Sequence, residues 1–214
     1  TSGDILNTQT PQFTFEAGWD PDPRDPVGSL VYGGKCWNEN DVREFIIGYD
    51  TTYVIDTLWE NSGYWVCFWA RDTSGLYSVN SDTVFFWVNS VNESPLAFNL
   101  IEPLSDTLDT SYPTFSWQAS TDPDINAVLS YTLRYSQNES FSTYSEVEGL
   151  SDTTHTLADS LADDLAYYWK VRVSDEFGLS RWSDDTFSFY MNAIPNQPPT
   201  AHWTYTDSIM TGVT

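Results

Sequence analysis

Residues Asp152 to Asp175 read DTTHTLADSLADDLAYYWKVRVSD, and the first half of the chain carries the same stretch as Asp50 to Asp72, DTTYVIDTLWENSGYWVCFWARD. In the later copy Tyr167, Trp169, Val171 and Val173 alternate with Tyr168, Lys170, Arg172 and Ser174. Alternation with period two reads as a strand with one buried face. In the earlier copy Tyr64, Val66, Phe68 and Ala70 fall on that inner face. Each copy has a leucine ahead of its tyrosine (Leu58, Leu161) and ends in an aspartate and a glycine turn (Asp72 and Gly75; Asp175 and Gly178).

The duplication covers more than this stretch. Pro11-Gln-Phe13-Thr-Phe15 recurs as Pro113-Thr-Phe115-Ser-Trp117, an offset of 102 (113 − 11), and Asp20-Pro21-Asp22 recurs as Asp122-Pro123-Asp124 at the same offset. One register therefore spans both halves, the sign of a tandem repeat. A leucine, a turn, a tyrosine and a period-two strand closing on an acid and a glycine resemble the corner between strands E and F of a fibronectin type III domain. The resemblance implies an all-β chain of two tandem fibronectin type III-like, immunoglobulin-like β-sandwiches plus an extra C-terminal strand. It also implies that the corner tyrosines hydrogen-bond to the chain just upstream. The expected divisions are 1–91, a sandwich lacking its first strand; 92–195, a second sandwich; and 196–214, a linker and one further strand.

Length suits this division, since 214 residues make two domains of about 100 residues each. The charge excludes one class of partner. With 31 acidic against 8 basic residues, a formal charge of −23 repels the phosphates of nucleic acids and anionic lipids. No apolar run approaches the roughly 20 residues of a membrane span, and TSGDILNTQT at the start has no signal-peptide pattern. The few lysines, the many Thr, Ser and Asn and a single cysteine pair point to the outside of a cell or its surface.

Asp and Pro are turn formers, so the repeated Asp-Pro-Asp reads first as structural. Its functional alternative is calcium, with hard oxygens from Asp20, Asp22 and Asp25. Cys36 and Cys67 both fall in the first repeat; a disulfide is expected between them, formed if the glycine-rich segment around Gly33 folds back over the sheet. Asn138-Glu139-Ser140 is an N-glycosylation acceptor sequence. No nucleophile elbow, metal-binding His pair or positioned base is present, so a non-enzymatic role is expected.

Alternation places Trp65 and Trp69 on the outside of one strand and Phe85 and Trp87 on the outside of its neighbour. Four large aromatics then share a surface, which is either covered by the segment carrying Trp37 or open for contact. The equivalent surface of the second repeat, Tyr168, Lys170, Arg172, Ser188 and Tyr190, is mixed. The end of the chain, NQPPTAHWTYTDSIMTGVT, is similar to the opening of a polycystic kidney disease (PKD) type module, with Ala201, Trp203 and Tyr205 alternating. That strand either begins a further module or is donated to the open edge of another copy.

Two functions follow from the resemblance. The first is a structural module of a prokaryotic secreted or cell-surface protein, such as a filament subunit, adhesin stalk or spacer that contacts itself or neighbouring domains. The second is a carbohydrate-binding accessory module of a secreted polysaccharide-degrading enzyme. Spaced, accessible tryptophans favour sugar, and rings buried against another chain favour assembly.

Overall fold

The computed structural model describes residues 3–23, 25, 28–193 and 200, and the described residues contain strands and connections but no helix. The first repeat supplies β1 (Asp4–Leu6), β2 (Gln12–Thr14), β3 (Val31–Trp37), β4 (Val42–Gly48), β5 (Thr52–Val54), β6 (Ser62–Arg71) and β7 (Val84–Val88). The second supplies β8 (Leu100–Glu102), β9 (Thr107–Leu108), β10 (Thr114–Trp117), β11 (Ser130–Ser136), β12 (Ser145–Leu150), β13 (Thr154–Thr156), β14 (Leu165–Ser174), β15 (Ser180–Trp182) and β16 (Phe187–Met191).

In the first repeat β1-β7-β6-β3-β4 form one sheet and β2-β5 the other. In the second, β9-β16-β14-β11-β12 form the large sheet, with β15 also on β14, and β8-β10-β13 the small one. The chain is thus an all-β pair of immunoglobulin-like sandwiches. β1 lies parallel to β7 as β9 lies parallel to β16. Among the described residues two strands are present only in the second repeat, β8, which pairs with β10, and β15, which pairs with β14.

Alternation builds both cores. Tyr64, Val66, Phe86 and Val88 meet Cys36, Ile55 and Leu58 between the first pair of sheets. Trp117, Trp169, Phe115, Leu133, Val171 and Phe189 lie in the second core, which holds 13 buried residues against 7 in the first. Each fully buried large apolar side chain contributes roughly 1.5–3 kcal/mol, and among the described residues the first core gathers fewer of them on two strands fewer.

Tyrosines brace both units. Trp59 N donates to Tyr64 Oη at 3.2 Å, and Ala162 N to Tyr167 Oη at 3.0 Å. A second pair, which alternation along the chain does not reveal, ties down the loops ahead of β3 and β11: Gly18 N donates to Tyr32 Oη at 2.8 Å and Ser120 N to Tyr131 Oη at 2.9 Å.

Candidate functional site

The large sheet of the first sandwich carries the aromatic surface. Register decides its layout, because residues directly opposite on antiparallel strands share a face. Phe85 pairs with Trp65, Trp65 with Trp37, and Trp37 with Val42, so these four make one row across four strands. Trp87, beside Ile5 of β1, forms the adjacent row, and Trp69 sits two rows away next to Ile46. The segment around Gly33 is therefore β3, a member of the sheet beside β6, and does not cover it.

Two glycines let the rings lie down. A Cβ on Gly63 would meet Phe85 at 2.7 Å, and one on Gly33 would meet the Trp69 indole at 2.1 Å. Each ring thus lies across the bare backbone of the neighbouring strand. Trp65 and Phe85 have centroids 5.0 Å apart, Phe85 and Trp87 5.7 Å, and Lys35 Nζ stands 5.4 Å from the Trp37 ring. Trp65 is 38% exposed, and Val42 and Ile46 are exposed beyond it. This is a broad, low platform of rings and aliphatic groups with one cation at its centre.

The cysteines are free, which corrects the expected disulfide. Cys36 pairs with Val66 and faces the core; Cys67 pairs with Lys35 and faces outward, so the sheet itself separates the two sulfurs. Both are nonetheless buried. Burial pushes the Cys36 thiol up to about 12, the Arg43 charge lowering it and Asp41 raising it.

At one end of this sandwich a cleft of about 520 Å³ opens between Trp19, Tyr32, Trp69, Leu76 and Tyr77, with Asp20 and Asp72 on its wall. The Asp-Pro-Asp turn is built as its composition demands: Asp20 Oδ1 accepts from Asp22 N at 2.7 Å, and in the second repeat Asp122 Oδ1 accepts from Asp124 N at 2.9 Å. Of the three aspartates read as calcium ligands, Asp20 and Asp25 come together, and the third member of the group is Asp72; their nearest oxygens lie within 4.8 Å of one another. Asp22 instead contributes its backbone carbonyl to Asp25 N at 3.0 Å. Asp72 also accepts from Leu76 N at 2.8 Å and Asp25 from the Thr73 hydroxyl.

The matching face of the second sandwich is closed by a stack. Trp182, carried in by β15, lies under Arg134 (4.5 Å), Lys170 (4.4 Å) and Arg172 (5.5 Å). Tyr144 sits 3.9 Å from Arg134 and Phe141 4.5 Å from Lys170, and Glu146 pairs with Arg134 at 2.6 Å. Burial, then the Arg134 charge, holds Lys170 below the usual amine value.

Between the sandwiches the chain is tied at both sides. Glu60 accepts from Gln9 Nε2 at 2.8 Å, from Ser90 Oγ at 2.6 Å, from Ser90 N and from Val91 N at 3.2 Å. Burial opposes its ionisation, yet these donors together hold it below the ordinary carboxylate value. Beyond it Glu93 N donates to Asp124 Oδ2, and Asn92 Nδ2 to Asp175 Oδ2, both at 2.9 Å. Asn138 is exposed in the turn after β11, its Oδ1 accepting from Ser140 Oγ at 2.7 Å. Ala201, Trp203 and Tyr205 lie outside the described residues.

Residues 101–191 match the family model described as the Rha78A-like, N-terminal immunoglobulin domain. The matched span starts inside β8 and ends with β16, so it takes in almost all of the second sandwich. No curated protein matches the chain.

Proposed function

We propose that this chain is a non-catalytic accessory region of a secreted polysaccharide-degrading enzyme, and that the platform of Trp37, Trp65, Phe85 and Trp87 binds carbohydrate. One observation carries the reading: the first sandwich keeps flat aromatic rings on the outside of its large sheet, whereas the second uses the equivalent positions for a packed structural stack. The apolar face of a pyranose ring stacks on such rings through its C–H groups, while its hydroxyls keep water or reach Lys35 and Glu44 at the centre and edge of the platform. The match of the second sandwich to the N-terminal immunoglobulin domain of Rha78A-like proteins, a glycosidase group, supports a place beside a catalytic domain. A filament or stalk role draws on no comparable observation.

Affinity electrophoresis of the whole chain through gels cast with a panel of soluble plant and bacterial polysaccharides tests this. The chain should be retarded by at least one of them, and Trp65→Ala and Trp87→Ala should weaken retardation tenfold or more. Tyr168→Ala, at the position of Trp65 in the second repeat, should leave it unchanged. Equal migration in every gel, or full retardation of both tryptophan variants, would rule out the platform.

A further inference from the structure

The Asp-Pro-Asp turn occurs twice, and its surroundings differ. In the first sandwich it stands at a tip, half-exposed. In the second, the linker is laid over it. Glu93 donates its amide to Asp124, and its carboxyl is within reach of the Asn61 and Asp124 side chains, as Asp122 is of Asp124; burial, and then these acidic neighbours, hold Glu93 and Asp122 above the usual carboxylate range.

This junction leaves oxygens without partners. Asn61 Oδ1, Glu93 Oε2, Asp122 Oδ2 and Asp124 Oδ1 each keep less than 1 Å² of accessible surface, and none makes a hydrogen bond. Among the described residues these are four of the seven enclosed and unpartnered side-chain polar atoms. The other three lie elsewhere, Ser29 Oγ in the loop before β3, Trp117 Nε1 on β10 and Arg172 Nε on β14. Among the described residues, moreover, no lysine or arginine pairs with Glu93, Asp122 or Asp124, because the ion pairs present join Arg43 to Asp41, Arg134 to Glu146 and Arg181 to Asp184.

An enclosed carboxylate oxygen with neither donor nor counter-charge is costly. Four on contiguous side chains, contributed by two sandwiches and their linker, call for one compensating positive charge. The donors are all oxygens, three from carboxylates and one from an amide carbonyl, a set suited to a hard cation that takes six to eight oxygen ligands. A cleft of about 200 Å³ lined by Ser90, Asn92, Asp124 and Glu176 borders the group at Asp124. We propose that the junction binds one divalent cation, Ca²⁺ by preference, through Asn61, Glu93, Asp122 and Asp124, and that the ion fixes the second sandwich against the first. These oxygens are less tightly gathered than those of Asp20, Asp25 and Asp72, so the ion draws them together and water completes its shell.

Two measurements on the full chain decide this. After stripping with a chelator, calorimetric titration with CaCl2 should show one saturable site, with a Kd on the order of 10⁻⁴ M as for extracellular modules, and MgCl2 should bind at least tenfold more weakly. Hydrogen exchange of the wild-type chain should slow at least tenfold across residues 89–94 on adding Ca²⁺ and change less than twofold across 20–25 and 72–76. Glu93→Gln and Asp124→Asn should raise the Kd tenfold or more, and Asp72→Asn less than twofold. Absence of binding heat, or protection confined to 20–25 and 72–76, would overturn the proposal. If either junction variant fails to fold, the wild-type exchange map alone still separates a junction site from a site at the tip.

Discussion

The outer faces of the two large sheets are built on one register and end in opposite states. Trp65 occupies the position of Tyr168, Cys67 that of Lys170 and Trp69 that of Arg172; across the sheet Gly33, Lys35 and Trp37 stand where Thr132, Arg134 and Ser136 do. In the second sandwich aromatic and cationic groups alternate through space, and Trp182 locks three cations into a packed layer. In the first, Lys35 keeps its charge, Cys67 stands where Lys170 does and Trp69, lying on Gly33, where Arg172 does; among the described residues the segment after β6 makes one bridge, Arg71 to Tyr77, in place of the three pairs of β15, and sets Tyr77 5.1 Å from Trp69. Identical backbone pairing thus supports either a closed structural stack or an open platform; the choice lies in side chains whose inward neighbours hardly differ.

The sharpest way to break that contrast is to remove one ring from each face. Trp182→Ala leaves Arg134, Lys170 and Arg172 facing one another and should cost about 2–3 kcal/mol, combining lost packing with lost cation–π attraction. Trp65→Ala takes away a ring that is 38% exposed and should cost less than about 0.5 kcal/mol. Urea denaturation followed by circular dichroism measures both. Equal costs would mean that the first face is as much a packed layer as the second, and the platform would lose its claim to be a binding surface.

How far these differences could be read from the sequence depends on whether they require a tertiary neighbour. The all-β class, the inward set Tyr64, Val66, Phe86 and Val88, and the outward set Trp65, Trp69, Phe85 and Trp87 need only alternation along a strand. Cys36 is a different matter, since the parity of β3 relative to β6 is fixed by pairing Cys36 with Val66, and a shift by one residue would have put both sulfurs on one face. Trp182 gives no signal, because its role depends on β15 adding to β14. Asp72 joins Asp20 and Asp25 only once the turn after β6 folds beside the loop after β2. The junction oxygens are hidden for a similar reason: Asn61, Glu93 and Asp124 are brought together by the fold of the linker.

The cysteines offer a second, smaller contrast, because the second sandwich has none. Burial raises Cys36 from 9.0 to about 12. With the folded value above the unfolded one, its contribution to stability is complete below about pH 9, the unfolded thiol value, and is lost as pH rises toward 12. The first sandwich should therefore weaken by on the order of 1 kcal/mol per pH unit across that window, and Cys36→Ala should flatten the dependence relative to wild type. Tyr64, also raised by burial, adds an alkaline component that the variant retains. Thiol titration without reductant is the companion measurement: two groups should react after denaturation and neither rapidly before it. A wild-type pH profile that matches that of Cys36→Ala would show that Cys36 is not enclosed.

The smallest effect concerns the feature the two sandwiches share most closely. Tyr64 Oη accepts one amide, from Trp59, whereas Tyr167 Oη accepts from Ala162 N and from Gln137 Nε2 at 3.2 Å. Removing a hydroxyl costs about 0.5–1.5 kcal/mol per hydrogen bond, and more where a buried donor is left without a partner. Tyr64→Phe should thus cost about 1 kcal/mol and Tyr167→Phe somewhat more, each seen as a lower urea midpoint at unchanged slope. The order matters more than the sizes. A larger cost at Tyr64 would mean that the weight of the corner follows the thinness of the surrounding core, 7 clustered buried residues against 13 among the described residues, instead of the number of donors it satisfies. The first sandwich would then hold its platform in place chiefly through this one tyrosine.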